Sequence, residues 1–351
     1  MRATLSKTVF TILVVVLLIL GAIAGYAWWR LNHHDAGYDA QHNAAVELKT
    51  LQESLDGSDL PAQSKEALGH DISDQLEALN RTAVEEARAD HDAEKLTTSS
   101  AAARLDGSAK KLYVLSGTQG IDPDEQATLV SMAVSHWASA RQLDGTLQQV
   151  ADPKSAGSQS LASMTGLSRG DTFDASGLCP AASGDAKASP SGASSNQGSA
   201  SKDPDAEDSD GLSAVLTGLY RSTWAESYYQ ARSDVDHLPE DTTAYLGGSA
   251  AVHDAQLGQL RADLGRHCST IPQPQAAYSV SGTEETDPSS VLSDQAKHLA
   301  QQSLSVVRSE PAASGDATGA RSWRAWGANS LALNTALAAQ VDADVPALPG
   351  T

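Results

Sequence analysis

Residues 122–153, DPDEQATLVSMAVSHWASARQLDGTLQQVADP, decide the fold class. Asp122 stands where a helix cap is needed, Pro123 suits the first helical position, and Glu125 completes a capping-box-like start. Leu129, Ala133, Trp137, Ala140, Leu143, Leu147 and Val150 then recur at steps of three and four, the stripe of one helix face. Asp152-Pro153 stops the run.

The same device extends in both directions. Upstream, Ala44, Leu48, Leu51 and Leu55 form a stripe that Gly57-Ser58-Asp59 breaks. Pro61 then opens a segment in which Leu68, Ile72, Leu76, Leu79, Ala83 and Ala87 share one face. Its outer side predicts the supporting pairs Glu77–Arg81 and Glu85–Arg88. A segment over 99–115 is interrupted by Gly107. Downstream, Leu212, Leu216, Leu219, Tyr228, Ala231, Val235 and Leu238 predict a helix that ends at Pro239. Leu246, Ala250, His253, Leu257, Leu260, Leu264 and Cys268 predict the next. Asp287-Pro288 repeats the cap-and-proline start before 291–308, and a last helix runs from about 321 to 341 on Trp323, Trp326, Leu333, Leu337 and Val341. Leu60-Pro61 with Leu68-Gly69 recurs as Leu238-Pro239 with Leu246-Gly247, which raises an internal duplication of two antiparallel helical units.

Residues 153–210 differ in kind. Ser, Gly, Ala, Asp and Pro dominate, most purely over 181–210, and such a composition buries too little apolar area to offset the entropy of ordering. This is read as a flexible linker, with 161–179 keeping enough apolar residues (Leu161, Met164, Leu167, Phe173, Leu178) to pack in part.

Composition agrees with helices. The chain holds 38 Leu, 19 Val, 6 Ile and 2 Phe in 351 residues, so much of its hydrophobic 40% is alanine. Alanine favours helices, and a shortage of β-branched residues starves sheets. The net charge is −20, while residues 1–30 hold Arg2, Lys7 and Arg30 and no acid. A body that acidic is repelled by phosphates, so no nucleic acid is expected as a partner.

Residues 9–27, VFTILVVVLLILGAIAGYA, are uncharged and reach ~28 Å as a helix, close to the ~30 Å hydrocarbon core. Tyr26 near its end and Trp28, Trp29 and Arg30 after it are the residue types that anchor at the membrane interface. The expectation is a type II signal-anchor over 9–29, with 1–8 as a cytoplasmic tail and the bulk extracytoplasmic. The rival is a secreted protein cleaved near Ala24, at Ala22-Ile23-Ala24. The whole chain resembles the single-pass, Ala/Asp-rich envelope proteins of high-G+C Gram-positive bacteria. The likeness rests on composition, implies no activity and carries over no functional residue.

Cys179 and Cys268 are the two cysteines, and both fall in the exported part, where an even count reads as one disulfide. Candidate chemistry is sparse. His33, His34, Asp35 and His42 crowd the membrane exit but read as solvated, and His253 and His267 as half-buried or surface residues. Arg169-Gly170-Asp171 is a short match to an adhesion tripeptide, and Asp203 to Asp210 is a solvated acidic run lacking the calcium-loop register. Trp224, Tyr228 and Tyr229, and Trp323 with Arg324 and Trp326, read as aromatics packed between helices, with a stacking platform as the alternative. No phosphate loop, nucleophile elbow or paired-cysteine motif occurs, so no catalytic residue, metal or cofactor is assigned.

The expected architecture is all-α: an N-terminal transmembrane helix, helical region 31–152, linker 153–210, helical region 211–343 and a tail 344–351, with seven or eight amphipathic helices in antiparallel bundles. The expected function is a non-enzymatic envelope scaffold or protein-interaction module with an unknown envelope partner. The alternative is a sensor-like ligand-binding bundle acting with a membrane partner.

Overall fold

The capping residues and apolar stripes do produce helices. The computed structural model describes residues 36–90, 95–151, 160–168, 211–268, 271, 273–278, 287–309, 317–342 and 344–351. Among them are ten α-helices, 77% of the residues, and no strand. They are α1 (Ala36–Asp56), α2 (Ala62–Ala78), α3 (Arg81–Glu86), α4 (Ala101–Leu115), α5 (Pro123–Leu143), α6 (Leu161–Thr165), α7 (Gly211–Asp236), α8 (Glu240–His267), α9 (Pro288–Arg308) and α10 (Ala317–Asp342), with a 3-10 helix (Leu147–Ala151) after α5. Residues 9–29, including Tyr26, Trp28 and Trp29, lie outside the described residues, as do Arg30 and Cys179. Among the described residues no helix is long and apolar enough to cross a membrane.

Local signals explain most boundaries. Asp122 caps α5 in a full capping box with Glu125, with Pro123 in the first turn. The stripe expected to continue through 68–87 breaks at Leu79, which is extended. Asn80 then caps α3 by accepting from Thr82 N and Ala83 N. Arg81 pairs with Glu85 at 2.7 Å instead of the expected Glu77. Gly107 does not interrupt α4. Asp287 stands at the N-cap of α9 with Pro288 behind it, yet its side chain makes no capping hydrogen bond. His237 (φ 51) ends α7 in the left-handed region, and Leu238 N donates back to Ser233 O at 3.1 Å.

Packing centres on two helices that are buried all round. Residues 129–140 of α5 and 324–339 of α10 contain no exposed position. Such helices need neighbours on every side. The pair α9–α10 supplies the wall between two cores. Leu304 and Val307 of α9, with Leu331 and Ala332 of α10, join Leu48, Leu112 and Trp137 in one core. Leu292 and Leu299 of α9, with Leu333 and Leu337 of α10, join Leu216, Leu219, Val252 and Leu260 of α7 and α8 in the other. The wall is thin because its contact residues are small: a Cβ on Gly327 would stand 2.7 Å from Val307 Cγ2. Short α6 is pinned between α5 and α10, with Trp137 Nε1 donating to Thr165 O at 2.7 Å and Asn329 Nδ2 to Ser168 Oγ at 2.6 Å.

Residues 344–351 dock on this core. Val345 is buried. Gln75 Nε2 of α2 donates to Ala347 O at 2.9 Å, and Ser131 Oγ of α5 donates to Pro349 O at 2.8 Å. With its amide nitrogen so committed, Gln75 turns Oε1 to His136, whose Nε2 donates at 2.8 Å while Nδ1 accepts from Ser108 Oγ at 3.0 Å. His136 is thereby held neutral, and burial pushes its pKa down to about 4. Removing residues 344–351 is expected to cost on the order of 4 kcal/mol, since it exposes the Val345 site and orphans Gln75 and Ser131. Urea denaturation of the truncated chain, read by far-ultraviolet circular dichroism, measures the loss.

Candidate functional site

Helix α7 carries two different faces. Its inner face runs through Val215, Leu216, Leu219, Ser222, Ala225 and Glu226, all buried. The stripe read from sequence follows this face only to Leu219. Beyond it, Tyr228 and Ala231 are exposed and Val235 is 75% exposed, so the second half of that stripe is an outer surface. Tyr228 stacks on Trp224 with ring centroids 5.7 Å apart and planes 13° apart, and meets Tyr229 edge-on at 5.4 Å. Arg232 lies over the Tyr228 ring at 5.4 Å and donates to its Oη at 2.6 Å. Tyr278, itself buried, abuts Trp224 edge-on at 6.5 Å. Trp224 and Tyr229 are part-buried against the second core, as expected, while Tyr228, 38% exposed, and Arg232 carry the stack outward as a partly exposed platform.

Beneath the platform sits a buried ion pair. His253 of α8 and Glu226 are 2% and 1% exposed, and Nδ1 meets Oε1 at 2.6 Å. On its other side Nε2 is 3.0 Å from Asn334 Oδ1. Asn334 Nδ2 donates to Ser330 O at 2.9 Å, so the amide oxygen must face the ring. Both ring nitrogens therefore point at acceptors, the arrangement of an imidazolium. Burial drives its pKa down, but the Glu226 charge and hydrogen bond, with Asn334, outweigh it and hold the pKa above the usual histidine value. The pair fastens α7 to α8 and α10. His253, expected half-buried or at the surface, is instead one of the most enclosed residues.

Arg324 is a second buried cation. Its Nη1 donates to Tyr113 O at 2.9 Å and Ser116 Oγ at 2.8 Å, and its guanidinium covers the Tyr113 ring at 4.6 Å. The last turn of α4 holds no basic residue of its own, so α10 supplies the cation that its dipole favours. A Cβ on Gly117 would stand 2.6 Å from that guanidinium, which explains a glycine there. Trp326 is buried, as expected.

A third feature is a cleft of about 530 Å³ between α1, the loop at 95–100 and α4. Glu47 lies at its side, bound by Arg104 and, at 3.0 Å, by Lys111. Burial lifts the Glu47 carboxyl, and the two cations more than offset this, leaving its pKa lowered. Gly107 lines the same cleft.

The remaining sequence candidates are placed as follows. His42 lies on α1 against Tyr38, with centroids 6.3 Å apart. His33, His34, Asp35, Arg169-Gly170-Asp171 and the acidic run 203–210 lie outside the described residues. Among the described residues no three His, Cys, Asp or Glu side chains converge as a metal site. Cys268 is the C-cap of α8. Comparison of the chain with family models, curated proteins and solved structures finds no match.

The two buried histidines give opposite pH dependences. His253, with its raised pKa, contributes fully below the unfolded value of ~6.5, and the contribution is lost as pH rises through the folded value. His136, with its lowered pKa, withholds a proton the unfolded chain takes up, so stability falls by about 3 kcal/mol from pH ~6.5 to about 4. Unfolding free energies across pH 4 to 8 are expected to lose the alkaline decline in Glu226→Gln and the histidine part of the acid decline in His136→Asn.

Proposed function

We propose that the chain is a non-enzymatic, membrane-anchored helical protein whose extracytoplasmic part binds an envelope protein partner through the outer face of α7. The observation that carries this reading is the platform of Trp224, Tyr228, Tyr229 and Arg232. Tyrosine, tryptophan and arginine dominate the energetics of protein interfaces. In a chain with 16 aromatic rings, leaving a stacked group partly in water has a cost that a partner would recover. The buried Glu226–His253 pair supports the reading, because it fixes the helix that presents the platform. The uncharged run 9–27 with its aromatic flank supports the anchor. A Cys179–Cys268 disulfide belongs to the same proposal, tying the linker to the end of α8 in an oxidising compartment.

A second reading, a sensor-like ligand-binding bundle acting with a membrane partner, draws on the cleft beside Glu47. Its opposed charges suit a small polar ligand more than a flat protein surface.

Cross-linking in intact membranes tests the first reading. The wild-type chain, recovered in the membrane fraction, is expected to capture a defined protein that Tyr228→Ala/Arg232→Ala loses by tenfold or more, as for an interface hot spot. Capture unaffected by that double variant, or a metabolite that raises Tm with no protein captured, counts against it. Non-reducing peptide mass spectrometry is expected to find Cys179 and Cys268 in one cross-linked species, and free thiols at both would remove the disulfide.

A further inference from the structure

The cleft of about 530 Å³ beside Glu47 has a charge pattern that narrows what it can hold. Five charged side chains line it: Glu47, Asp90, Lys95, Arg104 and Lys111. Val46, Leu96 and Ala103 add an apolar part. Gly107 lines it too, and a Cβ there would meet no atom within 4 Å, so the α4 wall stays open. The lining hydroxyls are spent within the chain. Thr50 Oγ1 donates to Val46 O at 2.7 Å and accepts from Asp90 N at 2.9 Å. Ser54 Oγ donates to Thr50 O at 2.7 Å, and Ser100 Oγ accepts from Thr97 N at 3.0 Å and Thr97 Oγ1 at 2.9 Å. Charge, not hydroxyl chemistry, is what the cleft offers.

The five charges divide in two. Glu47, whose side chain is 9% exposed, gives one oxygen to Arg104 and the other to Lys111 at 3.0 Å. Its charge is matched inside the chain, while Arg104 keeps Nε and Nη2 without a partner. Asp90 and Lys95 carry opposite charges that meet neither each other nor any other ion among the described residues. The backbone holds them apart. Asp90 N is anchored on Thr50, and Leu96 N, next to Lys95, donates to Ser54 O at 3.3 Å. Thr50 and Ser54 stand one turn apart on α1, so the two anchors are separated by ~6 Å. The Lys95 stem lies along Gly57, where a Cβ would stand 2.9 Å from its Cε. A bare anion would leave Asp90 unmatched, and a bare cation would leave Arg104 and Lys95 unmatched. One small molecule bearing both charges matches both, and the volume lies within the range of small-ligand sites.

We propose that this cleft binds a small zwitterion of the amino-acid class, its carboxylate on Arg104 and Lys95 and its ammonium on Asp90. The proposal rests on the second reading above, a ligand-binding bundle, and names the ligand class for it. It does not depend on the α7 platform.

The test is isothermal titration calorimetry of the purified full chain in a non-ionic detergent. L-alanine, L-glutamate and 4-aminobutyrate serve as zwitterions of different charge spacing, with propionate and propylamine as single-charge counterparts. At least one zwitterion is expected to bind saturably at ~0.1–1 mM, about tenfold or more tighter than either counterpart. Asp90 and Lys95 are exposed, so Asp90→Asn and Lys95→Met should each fold at an unchanged Tm while weakening the zwitterion about tenfold. A single-charge probe that binds as tightly as the best zwitterion overturns the proposal but leaves a small polar ligand in the cleft. Full affinity for the zwitterion in both variants also overturns it. No binding by any of the five probes overturns the proposal together with the ligand-binding reading on which it rests.

Discussion

Everything in this molecule depends on burying a helix that is rich in small and polar residues. Residues 324–339 of α10 are enclosed on every side, yet they include Arg324, Asn329, Ser330, Asn334 and Thr335. A chain with so few large aliphatic side chains cannot fill wide gaps, so its helices must approach closely. Gly327 against Val307 and Ser303 shows how closely. Close approach in turn brings polar side chains into the dry interior, where each needs a partner. Arg324 finds the end of α4, Asn329 finds α6, and Asn334 finds His253. These contacts give α10 a single position and orientation, which hydrophobic burial among alanines would specify weakly.

The helical class was legible because caps and stripes are local signals. The box at Asp122 to Glu125 and the stripe ending at Cys268 read correctly, since neither needs knowledge of the rest of the fold. The break at Leu79-Asn80 was harder. The apolar period runs through it, and only the capping preference of asparagine hinted at a new start. Gly107 misled in the other direction: a glycine tolerated within a helix resembles one that ends it until its place beside a cleft is seen.

The buried pair was invisible for a related reason. On the inner face of α7, Glu226 occupies the position where an apolar residue is expected, so the stripe appears to jump to Tyr228 and the outer surface. An acid in a helical apolar face with a histidine on a second such stripe was the available signal. Distance along the chain hid their pairing, because 27 residues and a helix turn separate them.

The dividing position of α10 has a bearing on how the chain comes into being. Both cores take side chains from α10, which follows every other described helix in the chain, so a polypeptide emerging N-terminus first can complete neither until α10 has appeared. Early helices form locally and wait. The two cores close together once α10 is in place.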